Sequence, residues 1–289
     1  MSGTITVGLD GTDHALAAVD WAATEASRRG MALRLVHAWV WRPLDVPIAV
    51  DADVQQGWAR SVLHEGETRV TKAFPGLQVT TELLADDPVP ALIAEAGEAE
   101  MLVLGSRGHG VLAGYLLGSV ALHVLRETAR PVVLVREPRS ADTGQQPDEV
   151  VVGIQDTAET AAAVLSFGFA AAAAREVSLR AVWAWSVPTV FAWSPGSMWL
   201  ADEAGGLEEM NKKRLAEALQ PWRERYPRVH VIEHVEIGAA AEVLLSNSGR
   251  AGLVVVGCRS RGIGLRRIGA VAHAALHHAP APVAVVPHP

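Results

Sequence analysis

The stretch that decides the fold is ITVGLDGTDHALAAVDWAATEASRRGMALRLVHAW, residues Ile5–Trp39. It begins with a short β-branched run, turns at Asp10-Gly11-Thr12, continues with apolar residues at helical spacing and ends in a second apolar run. Continuously apolar strands that alternate with helices are typical of a parallel sheet covered by helices on both faces. The stretch therefore predicts an α/β fold of the Rossmann-like kind.

The same pattern occurs twice in the chain. The first stretch returns as VVVGIQDTAETAAAVLSFGFAAAAAREVSLRAVWAW at Val150–Trp185. Likewise MLVLGSRGHGVLAGYLLGSVALHVLRETARPVVLV at Met101–Val135 returns as LVVVGCRSRGIGLRRIGAVAHAALHHAPAPVAVV at Leu253–Val286. A repeat of this length indicates duplicated whole domains and not a solenoid of short units.

A polar segment separates the two copies. Residues 137–149, EPRSADTGQQPDE, contain Pro and Gly and show neither a helical nor a strand period, so they are predicted to be a linker. We predict tandem domains at residues 1–138 and 148–289, each with a five-stranded parallel sheet.

The first copy predicts five strands that alternate with four helices. The predicted strands are 5–9, 33–40, 79–84, 101–105 and 131–135, and the predicted helices are 14–29, 58–73, 90–98 and 120–127. Such sheets bind ligands at the carboxyl ends of their strands, where the strand order reverses. We therefore expect a ligand site at the turns after Leu9, Val40 and Leu104.

A glycine-rich loop follows the fourth predicted strand. It reads Gly105-Ser-Arg-Gly108-His-Gly110, and Gly118-Ser119 opens the next helix. Glycines let the backbone approach a ligand closely, and free N–H groups beside a helix N-terminus suit a phosphate. On these residues alone, phosphate binding and simple tight turns with a Ser119 cap are both open. A Walker loop is excluded because no Gly-Lys-Ser/Thr follows, and the dinucleotide fingerprint belongs after the first strand.

These features resemble the universal stress protein family in its tandem form. The family's nucleotide motif is G-x2-G-x9-G-[ST], and Gly105, Gly108, Gly118 and Ser119 match it at every spacing. The segments VGLDGT at the first strand and PVVLV at the last also match. The resemblance covers essentially the whole chain outside the linker. It implies two nucleotide-binding α-hydrolase-like domains and an ATP-binding regulatory protein of the stress response.

The resemblance also implies which residues hold the ATP and its expected Mg²⁺. Asp10 would contact the nucleotide, Ala38 would contact adenine through its backbone, and Gly8 would line the floor. With the phosphate-binding residues, the implied set is Gly8, Asp10, Ala38, Gly105, Ser106, Arg107, Gly108, His109, Gly110, Val111, Gly118, Ser119 and Val120. Asp10 has an alternative role in an Asx turn or helix cap, and His109 one as a solvated loop residue.

The second copy departs from the motif. It has Gln155, Ser260 and Ala270 where the first copy has its acidic residue, its second glycine and its serine, and its loop is one residue shorter. We therefore predict one ATP site, in the first domain. The second loop contains four arginines: Arg259, Arg261, Arg266 and Arg267. They could bind an anion by their charge, or they could belong to a basic loop that is simply solvated.

Three functions fit this pattern. The first is an ATP-binding regulatory protein in which the nucleotide acts as a sensor or conformational switch. The alternatives are a slow ATPase and a nucleotide-independent dimerisation scaffold. Hydrolysis needs a positioned water, a charge clamp and a well-held metal. Only His109 is a candidate base, so we predict no dedicated enzyme and no catalytic residue.

Composition excludes other classes. The chain has 32 acidic and 25 basic residues among 289, a net charge of −7, which argues against a nucleic-acid binder. The single cysteine, Cys258, makes no internal disulfide and suits a reducing cytoplasm. No signal peptide or run of about 20 apolar residues is present, so we expect a cytoplasmic protein that does not bind a membrane. His273 and His277 lack an acidic or Cys neighbour, so we predict no metal site.

Two features bear on partners. The last predicted strands, Val132–Val135 and Ala284–Val286, are short apolar edges that need a partner strand, and pairing one against the other would close both edges. The resemblance implies dimerisation through this strand, so we expect a homo-oligomer. Trp193, Met198 and Trp199 lie where a loop is predicted, and they either pack over the fold or form a patch for an unknown protein partner.

Overall fold

The computed structural model describes residues 3–40, 52–106, 118–136, 149–155, 158–186, 206–259 and 268–288. The described residues up to Arg136 belong to one compact unit, and those from Glu149 onward belong to a second. Each unit is a five-stranded, wholly parallel sheet alternating with helices. The predicted α/β fold class, two tandem Rossmann-like domains, is confirmed.

The elements of the first unit follow the sequence pattern closely. They are β1 Thr4–Gly8, α1 Asp13–Arg29, β2 Ala32–Ala38, α2 Ala52–Ala73, β3 Val79–Leu84, α3 Pro88–Glu98, β4 Met101–Gly105, α4 Ser119–Glu127 and β5 Val132–Val135. The largest difference is at α2, which was predicted to begin at Trp58. Its first turns are largely exposed, so they carry no buried stripe that a periodicity argument could detect.

The strand order of the first sheet creates the expected binding edge. The order is β3-β2-β1-β4-β5. The first three strands are added towards one side of the sheet and the last two towards the other, so the strand order reverses between β1 and β4. A Cβ on Gly8 would contact Leu92 of α3, whereas the next residue, Leu9, packs on Gly66 of α2. Neighbouring residues of a strand point to opposite faces, so α2 and α3 cover opposite faces of the sheet.

The turn between β1 and α1 is fixed by a helix cap. Thr12 is the N-cap residue of α1, and its Oγ1 accepts a hydrogen bond from the Ala15 N–H at 3.3 Å. Gly30 ends the helix in the left-handed conformation at φ 62°. The helix predicted over residues 14–29 agrees with these ends to within one residue.

The second unit repeats this arrangement. Its elements are β6 Glu149–Ile154, α5 Ala158–Arg175, β7 Ser178–Trp185, α6 Gly206–Arg225, β8 Val231–Ile237, α7 Ala240–Ser246, β9 Ala251–Arg259, α8 Ala270–His278 and β10 Val283–His288. The strand order is β8-β7-β6-β9-β10. Glu149, predicted to end the linker, begins β6 and forms a bidentate ion pair with Arg180 at 2.6 and 3.0 Å.

Two sequence predictions fall partly or wholly outside these ranges. The predicted linker lies outside the described residues up to position 148, and so do Trp193, Met198 and Trp199. Across the ranges that are described, no helix combines the length and the apolar character needed to cross a membrane.

Candidate functional site

The predicted ATP residues that the structure describes lie at one edge of the first sheet. In the parallel register, the last residue of β1 pairs with Val36 of β2 and with Leu104 of β4. The carboxyl ends of these three strands therefore lie side by side, at the point where the strand order reverses. The residues brought to this edge are Gly8, Asp10, Ala38, Gly105 and Ser106. Five others lie outside the described residues: Arg107, Gly108, His109, Gly110 and Val111.

Asp10 is exposed and belongs to a tight turn. Its Oδ1 accepts hydrogen bonds from the Thr12 N–H at 3.1 Å and from Thr12 Oγ1 at 2.6 Å. Gly11, between them, takes φ 78°, a conformation that favours glycine. The Asx turn that the sequence left open is therefore present. It holds the carboxylate at the rim of the sheet.

Gly105 has a packing role that the motif alone did not reveal. A Cβ at this position would lie 2.5 Å from His14 O and 2.7 Å from Ala15 N, both backbone atoms of α1. The first turn of α1 thus approaches the end of β4 more closely than any side chain allows. Gly105 is required by this packing, independently of any ligand.

Ser106 carries a buried hydroxyl. The residue is 6% exposed, and its N–H donates to Val135 O at 2.8 Å, which fixes its backbone beside the end of β5. Among the residues that the structure describes, its Oγ has no hydrogen-bond partner. A buried unpaired hydroxyl costs free energy, so a ligand acceptor at this edge would be favoured.

The start of α4 is open to an anion. Gly118 is the N-cap residue and provides no side-chain hydrogen bond to the first turn, which begins with Ser119 and Val120. The first N–H groups of a helix have no partner within the helix, and they lie at the positive end of its dipole. A Cβ on Gly118 would meet nothing within 4 Å, so space is available in front of these donors.

Two aromatic residues near Ala38 were missed by sequence reasoning. His37 is buried, its Nδ1 donates to Leu9 O at 2.8 Å, and its ring contacts Trp58 edge-on with the ring centroids 5.6 Å apart. Trp58 is 55% exposed, and its ring lies 3.0 Å from the position that a Cβ on Gly11 would take. Trp58 lies one turn inside α2, so only its size and its place next to the predicted rim could have drawn attention to it.

Arg136 is a third residue of this edge that the sequence pattern did not single out. It directly follows β5, next to Val135, whose carbonyl accepts the hydrogen bond from Ser106. Burial lowers the pKa of the Arg136 guanidinium, which nevertheless stays charged at neutral pH. Arg136 therefore adds a half-buried positive charge to the edge that carries Ser106.

The second unit places the substituted residues at the corresponding edge. Gln155 follows β6 and is exposed, and Ala270 begins α8 after Gly269, without a side-chain cap. Cys258 is a buried thiol within β9. His273 and His277 have their ring centroids 4.3 Å apart, and no group of three potential metal ligands occurs among the residues described. Ser260, Arg261, Arg266 and Arg267 fall outside them.

The fold defines an α/β protein of two tandem Rossmann-like domains. The crystal structure of a universal stress protein from Archaeoglobus fulgidus DSM 4304 has this fold, with a TM-score of 0.71, 18% sequence identity and 99% of both chains covered. A universal stress protein crystallised with cAMP is 31% identical and covers 47% of this chain and 97% of its own, with a TM-score of 0.37. The cAMP in that crystal structure is a ligand of that universal stress protein.

Sequence comparison gives the family. The model described as "Universal stress protein family" matches residues 1–136 and 148–287. A universal stress protein of Mycobacterium tuberculosis is 36% identical over an alignment of 293 positions, gaps included. The alignment covers 97% of this chain and 96% of the relative. The chain belongs to the universal stress protein family, in its tandem form, and thus to a class of stress-response proteins.

Proposed function

We propose that the first domain binds ATP with Mg²⁺ and that the nucleotide acts as a sensor or conformational switch. The observation that carries the proposal is the buried Ser106 hydroxyl, which lies at the carboxyl edge of the sheet and has no hydrogen-bond partner within the described part of the chain. The uncapped start of α4 follows the same loop. Together with the complete glycine motif, these donors favour an anionic ligand with several oxygen atoms, as a triphosphate has.

The other residues of the edge would then bind the rest of the nucleotide. Asp10 is held at the rim by Thr12 and would accept hydrogen bonds from the ribose. Ala38 ends β2 and would contact adenine through its backbone, and Gly8 would form the floor. The phosphates would lie against the loop from Gly105 to Val111 and against Ser119 and Val120.

The proposed role is regulatory and not enzymatic. Phosphoryl transfer to water requires a residue that positions the water and a charge clamp on the transferred phosphoryl group. Of the described residues at this edge, His37 is buried, and its Nδ1 is engaged by the Leu9 carbonyl. Asp10 already accepts two hydrogen bonds from Thr12. A slow ATPase is the alternative if His109 acts as a base.

We further propose that the protein is cytoplasmic and forms a homo-oligomer through edge strands of the sheet. This proposal rests on the dimerisation that the family resemblance implies. A nucleotide-independent scaffold is the alternative function for the second domain, whose Gln155 and Ala270 lack the groups of Asp10 and Ser119.

The first test is the nucleotide content of the purified full-length protein. Acid extraction followed by chromatography is expected to give about one ATP per chain, because only the first domain keeps the motif. Two ATP per chain would contradict the single-site proposal. No nucleotide, together with no heat of binding when Mg²⁺ and ATP are titrated in, would favour the scaffold.

A substitution of Asp10 tests the ribose contact. Asp10→Ala is expected to lower ATP affinity by about 1–3 kcal/mol, roughly 5- to 150-fold, because a polar group of the bound ligand loses its partner. Isothermal titration calorimetry measures the change. Asp10→Asn is the matched control, because its Oδ1 can still accept from Thr12 and preserve the turn. Loss in the Ala variant with native affinity in the Asn variant would mean that Asp10 acts only through the turn.

A further inference from the structure

The second unit contains a cavity at the edge that corresponds to the proposed ATP site. Its volume is about 590 Å³, within the range of pockets that hold small molecules, which spans roughly 300–1,000 Å³. It is lined entirely by residues of the second unit, from the carboxyl ends of β6, β7, β9 and β10 and from α5, α7 and α8. The substituted second domain has thus kept space for a ligand.

About half of the wall of this cavity is apolar. Val164 of α5, Val182 of β7, Leu244 of α7 and Val256 of β9 contribute to that part, to which Ala161, Ala184 and Ala240 add small side chains. Burial of apolar ligand surface against such side chains is favourable. The cavity therefore suits a ligand with an apolar body.

The polar groups of the cavity favour a negative charge. Arg259 at the end of β9, His273 of α8 and His288 of β10 line it, and no carboxylate occurs among its described lining residues. Gly269 and Ala270 also line it, so the uncapped first turn of α8 lies at its wall. The charge of an exposed arginine, the N–H groups of two imidazoles and a helix N-terminus at one cavity favour an anionic group.

The same residues disfavour a nucleoside triphosphate. Ala270 has no hydroxyl for a phosphate oxygen, and Gln155 has no carboxylate for the ribose. The ring of His288 in β10 lies 2.8 Å from the position that a Cβ on Gly257 would take. This side chain therefore covers Gly257, which lies near the end of β9. In the first unit, the corresponding Gly105 is covered by the backbone of α1 instead.

We propose that the second domain binds a small organic anion that joins an apolar body to a carboxylate or phosphate head. The head lies at the start of α8 beside Arg259, and the body lies against the wall around Leu244 and Val182. The chain then has two ligand sites of different chemistry, and this second site does not depend on ATP binding in the first domain.

The probe for this site is 1-anilinonaphthalene-8-sulfonate, an aromatic anion that fluoresces in apolar surroundings. Ala270→Glu places a carboxylate at the start of α8, where it is compatible with the helix but repels the sulfonate. Ala270→Gln has nearly the same size without the charge. We expect the affinity of the probe for the full chain to fall at least 10-fold in the Glu variant and to stay near native in the Gln variant.

Arg228→Gln is a further control, because it changes the net charge by the same amount. Arg228 precedes β8, at the opposite edge of the same sheet, and does not line the cavity. This variant is expected to bind the probe like the native protein. Equal loss in Arg228→Gln and Ala270→Glu would show a general charge effect and overturn the proposal.

Competitors of the bound probe define the ligand class. Decanoate or decyl phosphate should displace it, and the stronger of the two identifies the head group, whereas decanol, acetate and inorganic phosphate should not. Displacement by decanol at the same concentration as decanoate would show a merely apolar surface. Displacement by Mg²⁺ and ATP that Gly269→Val abolishes would show a second nucleotide site. Equal binding of the probe by the Glu and Gln variants would also overturn the proposal.

Discussion

Gly105→Ala is expected to destabilise the first domain by about 3 kcal/mol or more, and the domain will fail to fold if its stability is marginal. The added methyl group would lie 2.5 Å from His14 O and 2.6 Å from the His14 carbonyl carbon. Both are backbone atoms in the first turn of α1, so no rotation of a side chain relieves the overlap. Either α1 or the end of β4 has to move.

Hydrogen exchange followed by mass spectrometry measures this effect locally. The two units are expected to open separately, so a single unfolding midpoint of the full chain would not isolate the first domain. We expect faster exchange in peptides from β1 and β4 and unchanged exchange in peptides from β6 and β9.

The control is Gly57→Ala, in the exposed part of α2. A Cβ there meets nothing within 4 Å, and alanine is favoured over glycine inside a helix by about 0.5–1 kcal/mol. This variant is expected to be as stable as the native protein or slightly more stable. Native-like exchange in Gly105→Ala would show that α1 and β4 separate more easily than their packing indicates.

The fold was predictable because its signals are local and periodic. The apolar strands and the helix over residues 14–29 are each indicated by a few neighbouring residues, and the structure contains both. The start of α2 at Ala52 was not predictable in the same way. The residues of α2 that precede Trp58 are largely exposed and form no apolar stripe. Periodicity detects a helix only where one of its faces is buried.

The candidate site was predictable only as a set of positions. Spacing identified Gly105 and Gly118 as members of one motif, but it could not distinguish their physical roles. Gly105 is constrained by the backbone of α1, whereas the Cβ position of Gly118 is open. The unpaired hydroxyl of Ser106 and the half-buried Arg136 depend on contacts between β4 and β5, which are distant in the sequence. Only the folded chain reveals such groups.

This difference between the two glycines makes Gly118→Val the sharpest test of ATP binding. Gly118 has φ −59° and ψ 144°, a conformation open to any residue, and its added side chain would point into free space. If ATP binds as proposed, that space holds phosphate oxygens about 2.9 Å from backbone N–H groups. A branched side chain would separate donors and phosphates, so we expect ATP affinity to fall by more than about 100-fold, roughly 3 kcal/mol.

The matched control is Gly269→Val, at the equivalent N-cap of α8. Its Cβ position is also open, and its φ of −69° is equally ordinary, so both variants should lose the same small amount of helix-cap stability, up to about 1 kcal/mol. Calorimetric titration with ATP and Mg²⁺ should show strong loss in Gly118→Val and native affinity in Gly269→Val. Native affinity in both variants would remove the phosphates from the start of α4, and loss in both would place nucleotide in both domains.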